Sequence, residues 1–209
     1  MDVNGSKNGA ALVVGADSDI GSALIERLKG EVIAHFFAAR SNLCESKAED
    51  RDLFPVFGDL CSLEGISSFI GEVKRLEKPV SRIIHLPSPP PVPMRLSKFD
   101  PERFLRELNI QVVSAAMIFR EFLPTMAKNG FGRVAVVLTS YCIGAPPKFL
   151  SSYVTAKYAL MGLVKSAAVE YAGKGVAINA VAPSMTETKF LSALPDFEIE
   201  ANAKANPMG

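Results

Sequence analysis

The sequence predicts an α/β fold: one domain spanning 1–209, with a doubly wound parallel sheet and helices on both faces. Three observations carry this. Short continuous apolar runs such as Ala10-Ala11-Leu12-Val13-Val14 recur along the chain, as strands buried on both faces do. Segments whose apolar residues return at helical spacing alternate with them. The first run also passes through a glycine-bearing turn, Gly15 to Gly21, straight into a helical pattern. No internal repeat and no linker breaks the alternation.

Composition narrows the partners. The chain has 209 residues, 48% hydrophobic and 22% charged, with a formal net charge of +1. That balance gives no reason to expect nucleic acid or an anionic membrane as partner. No apolar run reaches the ~18 residues of a membrane span. The opening Met1 to Gly9 is polar and lacks the apolar core of a signal peptide. Cys44, Cys61 and Cys142 form neither a Cys-x-x-Cys pair nor an even framework, and Cys44 and Cys142 lie far in sequence from His35 and His85. A cytoplasmic protein without a metal site is the expectation.

The elements follow in order. After the Ala10–Val14 strand, the turn Gly15-Ala16-Asp17-Ser18-Asp19-Ile20-Gly21 opens a helix patterned on Ile20, Leu24 and Leu28. A helix start in that context presents free N–H groups and a positive dipole end to a phosphate. Val32 to Ala39 is a second strand, ending at Arg40-Ser41-Asn42. In a dinucleotide fold this end lies beside the adenosine ribose, where a carboxylate would bind the hydroxyls of NAD. Here stand Arg40 and Ser41, with no Asp or Glu before Glu45, which suits a 2′-phosphate. Phe54 to Leu60 is a third strand with Asp59 near its end, and Ser62 is placed to cap a helix faced by Leu63, Ile66, Ile70 and Val73. Arg82 to Leu86 is a fourth strand, and the prolines from Pro87 to Pro93 must leave the sheet. His85, at that strand's end, is expected to be packed rather than catalytic. Asp100-Pro101 starts a helix running past Asn109 to about Lys128. Asn is a poor mid-helix residue, so Asn109 asks for a reason. Val134 to Leu138 and Val176 to Ala182 are the fifth and sixth strands, and the tail 189–209 is weakly patterned.

Between those last strands lies Ser151-Ser152-Tyr153-Val154-Thr155-Ala156-Lys157, preceded by Ser140. Ala156, Leu160, Leu163 and Val164 mark the segment as a helix, so Tyr153 and Lys157 share one face. An ammonium beside a phenol favours the phenolate and is expected to lower the Tyr153 pKa from ~10. Such a phenol can pass a proton to or from a substrate oxygen.

From Leu12 to Thr188 the chain resembles the short-chain dehydrogenase/reductase family, close to its 3-oxoacyl-carrier-protein reductase type. Gly15 to Gly21 is similar to the family's Gly-x-x-x-Gly-x-Gly turn, with Asp19 in place of the middle glycine. Asp59-Leu60 resembles the pair that contacts adenine, and Pro183-Ser184-Met185-Thr186-Glu187-Thr188 the segment that holds the nicotinamide amide. Asn109, Ser140, Tyr153 and Lys157 fall in the family's order. The resemblance implies a Rossmann-like NADP-dependent oxidoreductase acting on a small carbonyl or alcohol. Its implied cofactor contacts are Gly15, Asp17, Ser18, Asp19, Ile20, Gly21, Arg40, Ser41, Asp59, Leu60, Tyr153, Lys157, Pro183, Thr186 and Thr188. Tyr153 would be the general acid/base, Ser140 the donor to the substrate carbonyl, and Lys157 the holder of the nicotinamide ribose. Asn109 would break its helix and hold a water linking Lys157 to solvent.

Three departures stand beside this. His85-Leu86-Pro87-Ser88 replaces Asn-Asn-Ala-Gly, and Ser184 replaces a glycine, with strain expected if its φ is positive. The family also continues through another helix and a seventh strand beyond Gly209. A shortened sheet with Val176–Ala182 as an open edge, a mobile tail after Thr188, low stability and weak catalysis are therefore expected. A homodimer or higher homo-oligomer through the helices carrying Asn109 and Tyr153 is expected too. The alternatives are an NAD-preferring enzyme and a non-catalytic nucleotide-binding or scaffold protein.

Overall fold

The computed structural model describes residues 9–28, 30–37, 52–186, 188, 200 and 204. The strands are β1 (Ala10–Val14), β2 (Val32–Phe36), β3 (Leu53–Phe57), β4 (Val80–His85), β5 (Gly132–Val137) and β6 (Val176–Val181). They form one sheet in the order β3-β2-β1-β4-β5-β6, and every pairing is parallel. The order reverses between β2-β1 and β4, which opens a crevice at the carboxyl ends of β1 and β4. β3 tolerates Pro55 because it is an edge strand among the described residues, where a missing donor breaks no central ladder.

Successive strand residues point to opposite faces, and the core divides accordingly. Leu12, Val14, Ile33, Ile83, Val134 and Val136 face one side. There they meet α2 (Leu63–Arg75), α4 (Ser114–Lys128) and α5 (Ser151–Glu170) through Ile66, Phe69, Ile118, Leu123, Leu160 and Val164. Val13, Ala34 and Phe36 face the other, where α1 (Asp19–Arg27) packs through Ile20, Leu24 and Ile25. Helices thus cover both faces of the sheet.

The caps are those the sequence predicts. Ser62 accepts from Gly65 N at the start of α2. Asp100 accepts from Arg103 N, with Pro101 opening α3 (Pro101–Leu108). The helix that begins at Pro101 is not continuous: it widens into a π-helical turn, Asn109–Val113, before resuming as α4. β2 ends at Phe36, so Arg40 and Ser41 lie outside the described residues, as does most of the tail. Ser184 carries no strain. Among the described non-glycine residues only Glu77 and Phe149 have positive φ.

Candidate active site

The turn after β1 is built by glycine. Gly15 has φ +84°, where glycine alone is at no disadvantage. A Cβ on Gly21 would lie 2.4 Å from Gly15 O, so α1 packs against the turn more closely than any side chain permits. Ser18 Oγ accepts from Gly21 N at 3.0 Å and donates to Gly15 O at 2.8 Å, fixing the helix start. His35 secures the turn from β2: Gly15 N donates to Nδ1 at 3.4 Å, leaving Nε2 to donate to Gly58 O at 3.1 Å. Burial lowers the His35 pKa, which keeps the neutral ring that this pairing needs. Asp17 Oδ2 accepts from Phe37 N at 3.1 Å, which places a carboxylate at the end of β2.

The second group gathers at the end of β5. Tyr153 and Lys157 are both buried on α5. Lys157 Nζ donates to Val137 O at 3.0 Å and lies 5.8 Å from the centre of the Tyr153 ring. Burial lowers the Lys157 pKa to about 8. The expected lowering of the Tyr153 pKa does not occur. Burial pushes it up to about 12, a hydrogen bond to the Thr139 hydroxyl opposes this, and Tyr141, Cys142 and Glu107 add to the rise. Desolvation outweighs the spacing argument, because the ammonium is held by the Val137 carbonyl.

Ser140 begins a short 3₁₀ turn, Ser140–Cys142, and its N–H donates to Pro183 O at 2.9 Å. Asn109 sits where the helix widens, and Ser114 N reaches back to its carbonyl. Its side chain is engaged elsewhere: Nδ2 donates to Cys61 O at 2.7 Å.

A cavity of about 630 Å³ joins the two groups. It brings together Gly15, Asp17, Ser18, Asp19, Ile20, Leu60, Tyr153, Lys157, Pro183, Thr186 and Thr188. Asn109, Ser140, Gly21 and Asp59 are outside its lining. Gly21 shapes it from behind, and Asp59 instead accepts from Cys61 N at 2.8 Å. The proline loop (Pro87, Pro89, Pro90, Pro91) forms a wall together with Tyr141, Leu150 and Met185. His35, Phe37, Arg106 and Thr139 were not predicted at the cavity. The signal for His35, Phe37 and Thr139 was their position at the carboxyl ends of strands, where such folds bind.

A dinucleotide fits this cavity by two tests. The tight Gly15–Gly21 approach gives phosphates access to backbone, and the cavity runs unbroken from that turn to the phenol and ammonium. The carboxylates of Asp17 and Asp19 are the unfavourable feature for a phosphate at the helix start. Among the described residues no group of His, Cys, Asp and Glu could hold a metal ion, and no helix is long and apolar enough to cross a membrane.

A switch-point cavity running from a glycine turn to a buried Tyr–Lys pair defines a dinucleotide-dependent oxidoreductase. The family model described as short chain dehydrogenase matches residues 9–198, and the chain belongs to that family, whose members act on CH–OH and carbonyl groups with NAD(P). Among curated proteins it is 27% identical over 197 residues to rat dehydrogenase/reductase SDR family member 4, covering 90% of this chain and 69% of the relative. It is 26% identical over 203 residues to the 3-oxoacyl-[acyl-carrier-protein] reductase FabG of Rickettsia bellii, covering 95% and 81%. Among solved structures, a 3-oxoacyl (acyl-carrier-protein) reductase from Agrobacterium tumefaciens with NADP bound superposes with TM-score 0.80 at 22% identity, over 94% of this chain and 78% of that one. A 4-hydroxyisoleucine dehydrogenase complexed with NADH gives TM-score 0.81 at 20% identity, over 95% and 81%.

Proposed function

We propose that this protein transfers a hydride between NADP(H) and a small carbonyl or alcohol, with Tyr153 as the general acid/base. One observation carries the reading: a single cavity connects the glycine turn to a buried phenol flanked by an ammonium and a hydroxyl. The nicotinamide, when bound, supplies the hydride that adds to the carbonyl carbon. Tyr153 gives its phenolic proton to the oxygen that becomes the alcohol, and the Lys157 ammonium, 5.8 Å from the ring centre, is the positive charge nearby for the phenolate left behind. Oxidation runs the same transfers backwards. A phenol pushed up to about 12 is protonated at neutral pH, the form that donates in reduction, and is a weaker acid than an ordinary phenol. Two neighbouring hydroxyls can assist the substrate oxygen: Ser140 by its place in the family's order, and Thr139 by its bond to Tyr153. Pro183, Thr186 and Thr188 line the cavity where they can hold the nicotinamide amide.

Arg40 and Ser41 support NADP. A second reading, NAD, is favoured by the Asp17 carboxylate at the end of β2, which suits ribose hydroxyls better than a 2′-phosphate. Fluorescence titration with NADPH and NADH separates the two. Arg40→Ala should weaken NADPH roughly 10- to 100-fold, the scale of a charge-assisted phosphate bond. Equal constants for the two cofactors, or an unchanged NADPH constant in the variant, would reject the 2′-phosphate role. NADPH oxidation against a panel of ketones, aldehydes and acyl thioesters then tests the activity. Cofactor binding without turnover of any panel member would favour the non-catalytic reading.

A further inference from the structure

His85 is fully buried at the end of β4, and its neighbours assign both ring nitrogens. Nε2 lies 3.0 Å from Ser114 Oγ. That hydroxyl has one proton, and it is given to Ile110 O at 2.6 Å in the π-helical turn. Ser114 therefore accepts from His85, so Nε2 carries the hydrogen and Nδ1 is a bare acceptor. Among the described residues Nδ1 has no hydrogen-bond partner, a costly state for a buried acceptor.

Lys157 is a buried donor held on the neighbouring strand's carbonyl. Its Nζ is held at the end of β5 by Val137 O, a bond that uses one of its three hydrogens. His85 is in register with Val136, one residue before Val137. One strand spacing of about 4.8 Å and one residue thus separate the His85 backbone from the carbonyl that holds the ammonium. The charges agree. After burial, Lys157 is the strongest influence holding the His85 pKa down, ahead of His35, and the ring stays neutral. Meanwhile Asn109 Nδ2 is committed to Cys61 O.

We propose that a water bridges Lys157 Nζ and His85 Nδ1, making His85 a positioning residue for the ammonium beside Tyr153. The functional meaning rests on the reading of Lys157 proposed above; the bridge itself does not. The charged and titratable groups facing the pair are Tyr153 on the same helix, Cys142 in the 3₁₀ turn, and His35 across the sheet.

The chain has two histidines, so nitrogen NMR of the ¹⁵N-histidine-labelled protein resolves two rings, and His85→Asn assigns them. The expected result is a neutral Nε2–H ring for His85 whose Nδ1 resonance shifts with a midpoint near that of Lys157, about 8. The same resonance should move in Lys157→Met while that of His35 does not. An Nδ1–H ring, or an Nδ1 signal that stays flat through the Lys157 titration, would overturn the bridge. The wild-type titration decides this even if Lys157→Met fails to fold. As a second readout, the pH at which NADPH affinity falls should drop by about one to two units in His85→Leu, the size of a lost hydrogen bond to a charged group. His85→Asn, which keeps a carbonyl acceptor, should restore it. An unchanged pH midpoint in His85→Leu would also overturn the proposal. If no cofactor binds, the oxidoreductase reading fails while the nitrogen signals still decide the bridge.

Discussion

At the scale of single residues, the phenol and its two candidate hydroxyls make separable predictions. Tyr153→Phe should lose at least ~10²-fold in turnover, the usual scale for a missing general acid, while cofactor binding persists. Stopped-flow binding beside steady-state turnover checks both, and parent-like turnover would remove Tyr153 from its role. Thr139→Val deletes the hydrogen bond that opposes the rise of the Tyr153 pKa. The rise of alcohol oxidation with pH, which needs the phenolate, should therefore move to higher pH in Thr139→Val and stay in place in Ser140→Ala. The opposite pattern in the two pH–rate profiles would return the contact to Ser140. His85 makes a stability prediction. Its folded pKa of about 3 lies below the ordinary 6.5. Between those values the unfolded chain binds a proton that the folded one refuses, so stability is full above about 6.5 and falls as pH drops towards 3. Burial of His35 acts in the same direction. Thermal unfolding across that window should show a shallower acid loss in His85→Asn than in the parent. The pKa of Tyr153 and the choice of Thr139 were not legible in the sequence. Spacing along a helix places two side chains on one face but does not say how deeply they are buried. One residue at a strand's end decides which hydroxyl turns inward.

Elements were far more legible. Strands buried on both faces must be apolar throughout, and so β1 stood out as a run; β4, β5 and β6 are only partly buried but carry apolar runs too. Their ends shifted by up to two residues, β4 beginning at Val80 instead of Arg82, because a strand's first pair is set by its neighbour's register and not by its own composition. The glycine turn was legible as a motif. Why Gly21 is required appears only in space, from the 2.4 Å approach to a backbone oxygen that cannot rotate away. Gly21→Ala must push α1 off the sheet. Overpacking of this kind costs about 1–3 kcal/mol, or roughly 2–12 °C in Tm for a chain of this size. Calorimetry of the variant tests this, and an unchanged Tm would mean that α1 shifts without penalty. The widening at Asn109 was foreshadowed by a poor helix former in mid-helix; the partner of its side chain, Cys61, lies 48 positions away and could not be read from the sequence.

For the molecule as a whole, α5 is apolar on several faces, yet the described chain covers only part of it. Leu160 and Val164 are buried, while Tyr158 is 42% and Val169 79% exposed, and Leu105 on neighbouring α3 is 58% exposed. A helix with apolar residues all round needs cover on each side. We expect a two-fold dimer through α4 and α5 burying on the order of 1,200–2,000 Å². Light scattering checks this, and a stable monomer would contradict it. One bond described earlier acts over a longer range. Asn109 Nδ2 fastens the π-helical turn to Cys61, next to Leu60 in the cavity wall. A ligand that settles against Leu60 pulls on the same peptide segment that anchors the turn. Occupancy of the Leu60 end of the cavity should therefore quieten backbone breathing at 109–114. Amide exchange with NADPH alone should show slowed hydrogens at Asn109–Ser114, and the slowing should vanish in Asn109→Ala.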